Sequence, residues 1–148
     1  MLEVRLLGGL EAEARRRTVP APAHPQGPAL LAWLALHPGE HPRGPLAALL
    51  WPQLPTANAR AALRGAAWAL RRALGPDERL VLDGRRTLGL SCTTDLQEFE
   101  RLVAAGEPAA ALALCRGPLL EGLDDHAWVL AARREHARRV AAVRAEAG

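Results

Sequence analysis

Residues 46–74 read LAALLWPQLPTANARAALRGAAWALRRAL, and this stretch decides the fold. Leu46–Trp51 is a short apolar helix stopped by Pro52, and Pro55-Thr56 opens a long helix over residues 57–74 that Gly75-Pro76 ends. At about 100° per residue, Leu63, Ala67, Leu70 and Leu74 share one stripe, with Ala59 and Ala66 at its edge. Arg64, Trp68 and Arg72 fall on the far side, and Arg60 and Arg71 flank the stripe. A short helix, a turn from Pro52 to Pro55 and a long amphipathic helix together predict a helix-turn-helix.

Upstream, Leu2–Leu6 alternates apolar and polar residues as a half-buried strand does, Gly8-Gly9 can turn the chain, and Leu10–Glu13 can return beside it. Residues 19–28 hold four prolines and form a loop; Pro28 then starts a helix through Leu36 that is apolar almost all round and therefore central. Downstream, residues 79–82 and 87–90 are strands joined by Asp83-Gly84-Arg85-Arg86, and Asp-Gly is a hairpin signal. This order predicts an α+β fold, a winged helix-turn-helix over residues 1–91.

Beyond residue 92 the pattern turns helical. Thr94 and Gln97 have capping-box spacing ahead of Leu96, Phe99, Leu102 and Val103. Pro108 begins a second helix through Cys115, and a third runs over residues 126–147, with Asp124-Asp125 expected to cap its N-terminus. Residues 93–148 thus read as a short all-α module.

Charge follows the same division. All 19 basic residues are arginine; residues 1–91 carry a net +5 and residues 92–148 a net −2. A basic first part beside a mildly acidic second one points the first at a polyanion. The outer face of the long helix suits a major groove, where arginine reads guanine edges or clamps phosphates. The plainer alternative is a solvated amphipathic helix in an arginine-rich proteome. Arg85 and Arg86 at the hairpin tip favour DNA, since a basic wing beside a recognition helix reaches the neighbouring minor groove.

Other chemistries find little support. His37 and His41 are four apart, but Pro38-Gly39 breaks the helix a metal pair would need. Gly8-Gly9 lacks the lysine and hydroxyl of a phosphate loop. Cys92 and Cys115 read as two free thiols of a reducing compartment. No catalytic constellation, metal or cofactor is expected, so the chain reads as no enzyme, and no apolar run approaches a membrane span. A cytoplasmic location is expected.

Four stretches carry a family resemblance: Leu30–Gly39, Leu46–Pro52, Ala59–Arg64 and Leu70–Gly75. Together with Asp95-Leu96 and Phe99, Arg116–Leu120, and Trp128 ahead of Arg133-Arg134, they resemble the SARP type of bacterial transcriptional activator. The resemblance implies an OmpR-like winged helix joined to the start of a helical, tetratricopeptide-like activation domain. It implies head-to-tail pairs on direct repeats of double-stranded DNA and recruitment of RNA polymerase, with Gln53, Leu54 and Thr56 nearest the polymerase. From the helix face and the wing themselves, Arg60, Arg71, Arg85 and Arg86 are expected on phosphates, and Arg64 and Trp68, with minor help from Arg72, on bases. The alternative is a protein-interaction module that no longer reads DNA. The family's helical domain usually runs two to three times longer than residues 93–148. The stripe Val129, Ala132, His136, Val140 and Val143 is therefore expected to lie uncovered and to drive self-association into a homo-oligomer.

Overall fold

A computed structural model describes residues 1–148, which divide into two compact units. One comprises Met1–Leu2 and Ala12–Cys92; the other comprises Glu3–Glu11 and Thr93–Gly148. One boundary between the units falls between Cys92 and Thr93. Residues 3–11, expected within the winged helix, instead group with the helices.

In the first unit, β2 (Glu11–Ala14) and β3 (Arg17–Thr18) form a tight hairpin. Its turn residues Arg15 and Arg16 both adopt left-handed backbone, at φ of 50° and 64°. That conformation is strained for a side chain with a Cβ. Buried Asp77 secures the turn through ion pairs with Arg15 at 3.1 Å and with Arg17 at 3.7 Å. Helix α1 (Gly27–Leu36) takes Pro28 in its first turn and buries Ala29, Leu30, Leu31, Ala32, Leu34 and Ala35, as its uniform apolarity requires. Trp33 lies under a stacked His37 ring at 4.2 Å, and His41 meets the same indole edge-on at 4.6 Å.

A strand absent from the sequence reading follows: β4 (Glu40–Pro42) joins a three-stranded antiparallel sheet in the order β4, β6 (Thr87–Leu90), β5 (Val81–Asp83). Gly89 is obligatory here, because a Cβ would stand 2.4 Å from the Gly39 carbonyl oxygen. The hairpin strand expected over residues 79–82 begins later, since Gly75–Leu80 is a 3-10 segment after the long helix. Helices α2 (Arg43–Leu50) and α3 (Thr56–Leu74) pack on each other, and α3 also packs on α1. Leu63, Ala66, Ala67, Leu70 and Leu74 supply the buried face of α3. Trp51, just after α2, is half-buried with its ring edge-on to His24.

In the second unit, β1 (Leu2–Arg5) pairs in parallel with β7 (Thr93–Thr94) through Glu3–Thr93 and Val4–Thr94. The Asp95 carboxylate then accepts the backbone N–H groups of Leu6 and Leu7 at 2.7 and 3.1 Å. Further on, the N–H groups of Arg116 and Leu120 donate to the carbonyls of Leu7 and Leu6. Otherwise unsatisfied backbone groups of residues 6–8 thus find partners in the helical segment, which is why they belong to it. Helix α4 (Asp95–Ala104) carries the expected capping box, with Thr94 Oγ1 accepting from Gln97 N–H and Gln97 Oε1 from Thr94 N–H. Helices α5 (Pro108–Ala113) and α6 (Ala127–Ala147) complete the unit. His126, not an aspartate, occupies the α6 N-cap position with no side-chain cap; Asp124 pairs with Arg133 at 2.8 Å instead.

The α6 stripe is not an open face. Val129 and Val143 are fully buried, Ala132, His136 and Val140 are half-buried, and the His136 ring packs edge-on against Phe99 of α4. Val129 and Val143 thus belong to this unit's own core, while Ala132, His136 and Val140 keep part of their surface exposed, so the open part of the stripe is narrower than the sequence implies. No helix of the chain is long and apolar enough to cross a membrane.

Candidate nucleic-acid interface

Helix α2 ends at Leu50, just ahead of Pro52, and after the short turn α3 begins directly behind Pro55, whose fixed φ suits the start of a helix. Packing of its apolar stripe against α1 and α2 leaves Arg60, Arg64, Gly65, Trp68 and Arg72 exposed on the outer face. Trp68 is 57% exposed, and the Arg72 guanidinium lies 5.3 Å from its ring centroid. Such a cation–π contact holds a long side chain along the helix at a cost in rotamer freedom. An indole left in water, with a guanidinium over it, forms a flat amphipathic surface one turn beyond Arg64.

Opposite α3 stands the hairpin β5–β6, registered by Asp83–Leu88, Leu82–Gly89 and Val81–Leu90, with Gly84, Arg85 and Arg86 at the tip. Both tip arginines are exposed, and neither takes part in an ion pair. The hairpin is fastened to α2: the Arg43 N–H donates to the Arg86 carbonyl at 3.0 Å, and Arg43 Nε to the Gly84 carbonyl at 3.2 Å. Asp83 accepts from Arg43 and from Arg71, so one carboxylate joins the wing, the start of α2 and α3.

Between the helix and the wing lies an open cleft of about 470 Å³, lined by the guanidinium-bearing residues Arg43, Arg60, Arg64, Arg71 and Arg85, with Asp83 its lone carboxylate. The Arg60 guanidinium lies close to Gly44, where a Cβ would stand 2.9 Å from its terminal nitrogen. Burial lowers the Arg43 pKa, and the neighbouring charges of Arg71 and Arg64 lower it further. The guanidinium groups of Arg43, Arg64 and Arg71 thus repel one another across the cleft, which makes its surroundings positive.

The structure therefore brings together Arg60, Arg64, Arg71 and Arg85 around one cleft and sets Trp68 and Arg72 along the outer face of α3. Arg86 lies at the same wing tip. It differs from the sequence reading over Arg71, which is half-buried and paired with Asp83 rather than free. Gln53, Leu54 and Thr56 are all exposed around the α2–α3 turn. Two members of the cleft escaped sequence reasoning. Arg43 sits before the apolar run that marked α2, and Asp83 read only as a turn residue. The available signal was charge: Asp83 is the one acid among residues 79–91. No group of three or more His, Cys, Asp or Glu side chains is arranged to hold a metal ion.

The sequence matches no family model and no curated protein. Among solved structures, Mycobacterium tuberculosis EmbR, in complex with a low-affinity phosphopeptide, has the same fold at a TM-score of 0.81 and 27% identity. The match covers 97% of this chain and 43% of the EmbR chain, so this chain spans less than half of EmbR's length. The winged helix-turn-helix is thus a fold this chain shares with EmbR.

Proposed function

We propose that this chain is the DNA-binding part of a SARP-type transcription regulator. The observation that carries the reading is the arginine-lined cleft between the outer face of α3 and the wing, on a fold shared with EmbR. In this reading α3 enters the major groove with Arg64 and Trp68, steadied by Arg72, at the base edges. Arg60, Arg85 and Arg86 contact phosphates, and the wing lies at the adjacent minor groove. The unit holding α4 to α6 is the beginning of a tetratricopeptide-like activation domain. The exposed turn at Gln53, Leu54 and Thr56 faces RNA polymerase when two copies occupy a direct repeat.

Fluorescence anisotropy of the 148-residue chain on duplex DNA across a salt series tests the proposal. Phosphate-driven binding loses affinity with a log–log slope of about −0.9 per neutralised phosphate. A slope of about −2.7 is expected from three free arginines. Affinity that barely responds to salt would point instead to a protein partner and overturn the reading.

A further inference from the structure

We infer that Asp83 is a specificity-determining positioning residue: it holds Arg71 away from the DNA backbone and fixes the wing against the recognition helix. The inference rests on the DNA-binding reading above. Asp83 is the last residue of β5, placed by its register with Leu88, and both of its oxygens are engaged: Oδ1 by Arg43 and Oδ2 by Arg71. The Arg43, Arg71 and Asp83 side chains are only 17%, 34% and 26% exposed, so water screens these pairs less than it would at an open surface. Arg43 also holds the wing tip through the Gly84 and Arg86 carbonyls.

The cleft's cations thus fall into two sets. Arg60, Arg64 and Arg85 have no acidic partner, whereas Arg43 and Arg71 share Asp83. Without the carboxylate, Arg43 and Arg71 repel each other and Arg64, and the anion at hand to replace it is a DNA phosphate. Phosphate contacts add affinity for every sequence alike, while base contacts discriminate. A released Arg71 therefore strengthens binding to any duplex, and a loosened wing weakens selection of the right one.

The test compares the parent chain, D83N and R71Q on the duplex enriched by selection from random sequence and on a random duplex of equal length, across salt. D83N is expected to steepen the salt slope by about one unit and to bind random duplex roughly three- to tenfold tighter. Its ratio of selected to random affinity falls by a similar factor. R71Q should change the slope by far less than one unit, because the charge it removes is already paired. Tighter binding cannot come from an unfolded variant. An unchanged slope and ratio for D83N, weaker binding of D83N to both duplexes, or a full unit lost in R71Q would each overturn the role of Asp83. A parent chain that binds neither duplex overturns the DNA reading itself, a result distinct from every outcome of the variants.

Discussion

Replacing Arg85 and Arg86 together by alanine separates the wing's contribution from that of the helix. Both side chains are exposed and free of ion pairs, and the hairpin is held by backbone register and by Arg43, so the double variant should fold as the parent does. Two phosphate contacts correspond to a slope change of about 1.8 in log affinity against log salt. Between about 50 and 200 mM salt, a fourfold range, the parent should lose roughly twelvefold more affinity than the variant. The gap between the two proteins is therefore widest at low salt and closes as salt rises. Anisotropy titrations at four or five salt concentrations, on selected and random duplexes, read this directly. The loss should be the same on both duplexes, since phosphates carry no sequence. Parallel salt lines for the two proteins would refute the wing contact, and a loss confined to the selected duplex would move these arginines to the bases.

Three further outcomes concern the scaffold. Phe99 is fully buried against His136, and Phe99→Ala should cost about 3–5 kcal/mol in chemical denaturation of the helical unit. Gly89→Ala forces a Cβ into the Gly39 carbonyl and should destabilise the winged-helix unit by about 1–3 kcal/mol, lowering its melting temperature. Burial lowers the His136 pKa, against the opposing pull of Glu100 and Asp95. The unfolded chain therefore takes up the proton first, and stability should fall as pH drops through the ordinary histidine range, levelling off below the folded value. Denaturation midpoints of the parent and of His136→Gln across that range check the sign, with the variant expected to lose the dependence.

Local signals in the sequence predicted local structure well. Pro28 marked α1, the Pro52–Pro55 turn marked the junction of α2 and α3, and Thr94 with Gln97 formed the capping box their spacing implied. What escaped depends on distant partners. Glu40-His41-Pro42 becomes a strand only because β6 pairs with it, and a proline inside the run disguises it. Arg15-Arg16 turns a hairpin without the usual Asn or Gly because Asp77, some sixty residues on, secures the turn. The α6 stripe was correctly read as apolar, but periodicity does not say what covers a face, and here α4 and α5 cover part of it. The site divides likewise: helical period placed Arg60, Arg64, Trp68 and Arg72 outward, while the Arg43–Asp83–Arg71 cluster needed the fold to bring residues forty apart together.

The central claim is that the outer face of α3 reads bases. Selection of bound duplexes from a randomised pool, run in parallel with the parent chain and Arg64→Ala, tests it most directly. The parent should enrich a defined motif. Arg64→Ala should bind that motif more weakly by about 1–3 kcal/mol and lose preference at one base pair while keeping the others. Enrichment of no motif by the parent, or of an identical motif at every position by both proteins, would contradict base reading by this face.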